Sequence, residues 1–296
     1  MAVLDTVKFP WGGPVVFLHI PKTAGTNLTF VLEANYAALG PPKGFAYWKD
    51  GERFCQFGHG AFPHSFADDA MAFVMLRDPV KRVYSHFYEA QRNGDVHPRL
   101  TLERIFLQEP HLFLPEEGAP RPGVAKNAGY GNVLWTSNYS VQYLMGSLPG
   151  RGPVPVTEAE FTKVRDALLN DQIVSSQGKV APILLGVTER MKESLEVFGA
   201  SFGWKSLSYR ERSPARRRGA TTFKGSARLE EAIRKANTYD VALHEIAKKR
   251  FDEHRERLAP LIAQGKKRWA KAPPPPSGPP GTGGRRRGRI KRTRWK

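Results

Sequence analysis

The chain of 296 residues holds a single cysteine, Cys55. One thiol excludes an internal disulfide framework and any cysteine-rich zinc site, so the composition demands no oxidising compartment. Long apolar runs are missing too: none approaches the roughly 18 residues that a spanning helix needs. No basic segment leads into an apolar core near the N-terminus, and we expect a soluble, cytoplasmic protein. No convincing cluster of metal ligands is present, and we expect no metal. The sequence also lacks a Walker A loop, which needs Gly, four residues, then Gly-Lys-Ser/Thr, and this disfavours an ordinary ATPase or GTPase. Acidic residues are scarce, 28 against 46 basic, for a formal net charge of +18.

That charge is unevenly placed. Residues 264–296 carry twelve of the basic residues and no acidic one, so the rest of the chain holds 34 basic against 28 acidic residues, only +6. The same stretch contains Pro273-Pro274-Pro275-Pro276 and the glycines at 278, 281, 283 and 284, a composition that cannot build a packed core. We expect a folded domain over 1–263 and a disordered basic Pro/Gly/Arg-rich tail over 264–296. The 40% hydrophobic composition suffices for a sizeable core in one domain.

Apolar periodicity predicts strands at about 15–20, 71–76 and 183–187, and helices at about 27–38, 80–92, 157–170, 188–199 and 228–252. Such alternation reads as an α/β fold, a central parallel sheet flanked by helices. The Pro/Gly-rich stretch Pro110 to Gly131 and the segment Leu148 to Pro155 read as long loops of the kind that shape an acceptor cleft.

The richest segment is Val15-Val16-Phe17-Leu18-His19-Ile20-Pro21-Lys22-Thr23-Ala24-Gly25-Thr26-Asn27, an apolar strand running into a small-residue turn with one lysine and then a helix. Backbone N–H groups in such a turn converge on an anion, and the helix adds its positive N-terminal end. Small residues let an oxyanion approach the backbone. A second segment pairs the buried strand Met71–Leu76 with Arg77-Asp78-Pro79. Pro79 fits a first helical turn, and Val80, Val83, Tyr84, Phe87 and Tyr88 form an apolar face expected to pack on the sheet. Arg77 can contact phosphate bidentately and the Ser85 hydroxyl can donate one more bond.

His19-Ile20-Pro21-Lys22-Thr23-Ala24-Gly25-Thr26 resembles the 5′-phosphosulfate loop of sulfotransferases that use 3′-phosphoadenosine-5′-phosphosulfate (PAPS), in the branch of the uronyl and heparan sulfate 2-O-sulfotransferases. Arg77 and Ser85 resemble that family's 3′-phosphate site. Residues 137–146, 185–195 and 237–245 are similar to its nucleotide-side helix, its late strand-to-helix unit and its closing helix. The resemblance covers about 14–255. It implies a P-loop-like sulfotransferase fold, with PAPS as donor and adenosine 3′,5′-bisphosphate (PAP) as product. The nucleotide would be held by Lys22, Thr23, Ala24, Gly25, Thr26, Asn27, Arg77 and Ser85, with Lys22 also catalytic. The acceptor would be a hydroxyl of a carbohydrate or similar molecule, anionic ones included. Animal members carry a Golgi membrane anchor, from which this sequence departs. Arg210, Arg212, Arg216, Arg217 and Arg218 form a basic cluster suited to a lid over the 3′-phosphate.

The expected general base is His59, in Phe57-Gly58-His59-Gly60, which resembles the histidine following a glycine between the two nucleotide motifs, although Phe57 stands where a first histidine is expected. An imidazole suits proton abstraction at neutral pH. His19, His64 and His86 compete, and Glu33 is the carboxylate alternative. Two other functions remain open: a nucleotide-dependent phosphoryl transferase, and a nucleic-acid-binding protein acting through the basic tail, which can contact polyanions.

Overall fold

A computed structural model describes residues 3–36, 46–47, 54–57, 69–93, 96–97, 99–110, 137–146, 155–209 and 225–271. Strands β1 (Val15–Leu18), β2 (Ala46–Tyr47), β3 (Phe54–Phe57), β4 (Met71–Leu76), β5 (Gln172–Val174) and β6 (Val180–Val187) form one sheet of order β2-β3-β1-β4-β6-β5. The four inner strands are parallel, and β2 and β5 close the edges antiparallel. The fold is therefore α/β with a mostly parallel open sheet flanked by helices, as the alternation of elements predicts.

Strands β1 and β4 are buried on both faces, which explains their unbroken apolar runs. From β1 and β4, Val16, Leu18, Ala72, Val74 and Leu76 face one core, which is completed by α3 (Tyr139–Leu144), α4 (Glu158–Leu169) and α7 (Thr238–Arg257). Val15, Phe17, Met71, Phe73 and Met75 face the other, against α1 (Gly25–Asn35), α5 (Met191–Phe202) and α8 (Ala259–Trp269). This strict alternation of neighbours is the period-2 geometry of a strand.

Helix α2 (Pro79–Asn93) begins where Asp78 Oδ1 accepts from Lys81 N at 3.0 Å, an N-cap with proline at the first helical position. Its apolar face does not pack on the sheet as the sequence suggests. Val80, Val83, Tyr84 and Phe87 pack instead against α6 (Ala227–Ala236) and the segment containing Leu100, Leu102, Ile105 and Phe106. The opposite face carries Arg82, fully buried beside Tyr139 and Asp240, and a paired charge rather than an apolar residue therefore fills the inner side of this helix.

The long helix expected at 228–252 is two helices, α6 and α7, broken at Asn237, whose side-chain Nδ2 donates to Ile233 O at 2.9 Å. The tail boundary also moves. Helix α8 runs through Trp269, because Ile262, Gly265 and Trp269 recur on one face and Trp269 Nε1 donates to Trp204 O at 3.0 Å. Lys266, Lys267 and Arg268 thus lie on a helix that packs on α5, while residues 272–296 lie outside the described residues. Among the described residues no helix is long and apolar enough to cross a membrane.

Candidate functional site

The chain leaves β1 through α1 to β3 on one side, then crosses to β4 on the other, so the carboxyl end of β1 is a topological switch point. In open α/β sheets ligands bind in the crevice at that place. The loop His19–Ala24 opens there, with Arg77 at the end of β4 and Thr188 at the end of β6 beside it in the sheet.

Two residues of the loop have left-handed backbone, Lys22 at φ 69° and Ala24 at φ 67°. For residues with a Cβ that conformation costs on the order of 1–2 kcal/mol each. Alternation of left- and right-handed backbone turns successive N–H groups toward one point, an anion nest. Ala24 is also the N-cap of α1, and it makes no side-chain cap. A serine, threonine or aspartate would engage the first-turn amides itself, whereas alanine leaves that end of the helix for something else. Thr23 Oγ1 donates to Ile20 O at 2.8 Å from a fully buried position and fixes the turn from inside.

Gly25 is required for a reason other than ligand approach. A Cβ at this position would fall within the His19 imidazole, which lies over the start of α1 and stacks on Phe17 with centroids 5.2 Å apart. His19 is thus a wall of the loop. His86 is buried edge-on to Tyr139, 6.4 Å between centroids. His59 and His64 lie outside the described residues, as do Arg210, Arg212, Arg216, Arg217 and Arg218. Of Glu33 only the backbone, within α1, is described.

The two sequence motifs meet directly. Arg77 Nη1 donates to the Lys22 carbonyl at 3.0 Å. Burial pushes the Arg77 guanidinium below its ordinary value, partly offset by the charges of Glu189 and Asp78. Its Nε is buried with no hydrogen-bond partner among the described residues. Ser85 lies two turns into α2, half-buried, and Glu89 follows one turn later. Lys22 Nζ pairs with Glu89 Oε2 at 2.8 Å, a partner 67 residues away that no sequence motif indicates.

The three downstream segments also converge here. Tyr143, on α3, is hydrogen-bonded to the His19 backbone. Asp240 accepts from Ser140 N at 3.0 Å and Val141 N at 2.9 Å, capping α3. In return Asn138 Oδ1 accepts from Tyr239 N at 3.0 Å and Asp240 N at 3.1 Å, capping α7. Arg82 Nη2 lies 3.7 Å from Asp240 Oδ2, and burial pushes its guanidinium down while Asp240 and Tyr139 act the other way. Beyond β6, Glu189 Oε1 accepts from Asp78 N at 3.2 Å and Glu189 Oε2 lies 3.3 Å from His244 Nε2. Burial acts to raise the Glu189 carboxyl, but the bonds to His244 and Asp78 outweigh it and hold the group below the usual carboxylate range.

The structure therefore brings together Lys22, Thr23, Ala24, Gly25, Arg77 and the helices bearing Thr26, Asn27 and Ser85. Glu89, which no motif indicates, joins them through Lys22, and Tyr143, Glu189 and His244 arrive on the three downstream segments. Among the described residues no cluster of side chains suits a metal ion. Comparison with models of known protein families gives no match, and comparison with curated proteins gives none either.

Proposed function

We propose that this protein is a PAPS-dependent O-sulfotransferase on a P-loop-like sulfotransferase fold, moving a sulfuryl group to a hydroxyl of a carbohydrate or similar acceptor. The observation that carries this reading is the bond from Arg77 Nη1 to the Lys22 carbonyl. It joins a nest with two left-handed residues to the second phosphate motif at the switch point of the sheet.

The loop Lys22–Asn27 holds the 5′-phosphosulfate on backbone donors, and Arg77 with Ser85 supports the 3′-phosphate. In the transfer the acceptor hydroxyl oxygen forms a new bond to sulfur while the bond from sulfur to the bridging phosphate oxygen breaks. The proton of the hydroxyl passes to a base, assigned to His59, and PAP leaves with the negative charge that develops on its 5′-phosphate. Lys22 stabilises that charge, and preorganised electrostatics of this kind is usually the largest catalytic contribution.

The test is a melting-temperature titration. PAP at a hundredfold excess over its dissociation constant stabilises the folded state by about 2.7 kcal/mol. That corresponds to a rise of about 5–10 °C for a chain of this size. AMP at the same concentration shifts it far less, and Arg77→Ala erases the difference. Equal shifts by AMP and PAP in the unmodified protein overturn the assignment.

A further inference from the structure

We propose that Glu89 is a specificity-determining residue of the nucleotide site, one that selects a singly charged terminal group, a sulfuryl, over a doubly charged phosphoryl. This rests on the sulfotransferase reading above and goes beyond it, since it explains why the same loop would refuse a nucleoside diphosphate or triphosphate.

Lys22 is the one cation of the loop itself, and its Nζ is 2.8 Å from Glu89 Oε2. Both side chains are largely covered, 16% and 29% exposed, so solvent screens the pair less than it would at an open surface. Glu89 comes from α2, which also carries Ser85 one turn earlier on the same face, and α2 starts directly after Arg77. The carboxylate is thus built into the element that carries the second phosphate motif. Arg92 Nη2, at 3.5 Å from Glu89 Oε1, is exposed and braces it from one turn beyond.

Among the described residues, the cations nearest the loop each have an acidic neighbour. Lys22 is matched by Glu89 at 2.8 Å, and Arg77 has Glu189, Asp78 and the fully buried, Asp240-paired Arg82 as its charged neighbours. Any anion that pairs with Lys22 must share it with the Glu89 carboxylate. A terminal sulfuryl brings one negative charge into that shared position, and backbone N–H groups of the nest can compensate it. A terminal phosphoryl is close to doubly charged above pH 7. Its second charge meets Glu89 with no further cation in the loop, and like charges at contact distances are strongly unfavourable. Discrimination here comes from a repulsive element as much as from an attractive one.

Two ligands isolate the effect, because PAPS and 3′-phosphoadenosine-5′-diphosphate differ only in whether the terminal group is sulfuryl or phosphoryl. Dissociation constants of both are measured by calorimetry at pH 8 on the full chain, with Glu89→Gln and Glu89→Asp. The unmodified protein binds PAPS more tightly by about tenfold or more, the scale of one added charge beside a carboxylate. Glu89→Gln gains affinity for the diphosphate and brings the ratio near one, while Glu89→Asp, which keeps the charge, keeps the preference. A structural role for Glu89 would weaken both ligands together and leave the ratio unchanged. A preserved ratio in Glu89→Gln, or equal binding of both ligands by the unmodified protein, overturns the inference and leaves the site itself standing. Failure of the unmodified protein to bind either nucleotide overturns the sulfotransferase reading and the inference with it.

Discussion

Replacing Asp240 by alanine tests how the helices around the loop are held. The carboxylate is buried, 2% exposed, and does two jobs at once. It faces the fully buried Arg82 at 3.7 Å, and it accepts from the Ser140 and Val141 amides. Removing one partner of a buried pair leaves the other charge uncompensated, worth about 3–5 kcal/mol. Losing the cap of α3 adds about 1 kcal/mol. The total, about 4–6 kcal/mol, is a large share of the 5–15 kcal/mol typical of a domain. At roughly 2–4 °C per kcal/mol the melting temperature should fall by about 10–20 °C. Asp240→Asn keeps an acceptor for one amide and should lose less. Scanning calorimetry on both variants measures the effect, and a fall below about 3 °C for the alanine variant refutes the account. The reasoning would fail at the pairing of Arg82, not at the cap, if the asparagine variant matched the unmodified protein.

Gly25→Ala should displace the His19 ring from the start of α1, because the added methyl occupies its space; an overpacked site loses about 1–3 kcal/mol. The variant should melt lower and bind PAP weakly, and an unchanged melting curve would show that His19 can move freely. Asp171 gives the acid limb of stability. Burial acts to raise its carboxyl, but bonds from His254 Nε2 at 2.7 Å and from Arg250 outweigh it and hold the group below the usual carboxylate range. Its stabilising contribution is therefore present above the unfolded value, about 3.9, and lost as pH falls through the folded one. Urea midpoints of Asp171→Asn should trail the unmodified protein by a steady margin from about pH 6 down to about pH 4, and the margin should close only as pH falls from about 3.9 through the lower folded value; a margin that stays constant to the acid end would count against the linkage.

The strands were legible in the sequence where burial on two faces leaves an unbroken apolar run, as in Met71–Leu76, and α2 where Asp78-Pro79 marks its start. Short edge strands such as Gln172–Val174 carry too few residues for periodicity to register. Basic residues at 266–268 mask the helical spacing of Ile262, Gly265 and Trp269, so composition alone does not mark the end of this helix. Arg82 and Glu89 are also opaque, since a charged residue reads as solvated until its partner is known. Asp240 and Lys22 lie far away in the chain and arrive only by tertiary folding. The loop itself was readable because its small residues and lysine are contiguous.

The bond from Arg77 to the Lys22 carbonyl has a consequence for the direction of a single peptide plane. In a trans peptide the C=O and the following N–H point opposite ways. By drawing the Lys22 oxygen toward β4, Arg77 turns the Thr23 N–H the other way and removes from the loop the one kind of atom that repels an anion. A nest is only as good as its least well oriented carbonyl. Arg77 thus sets the polarity of the loop, as a latch that keeps one plane from flipping.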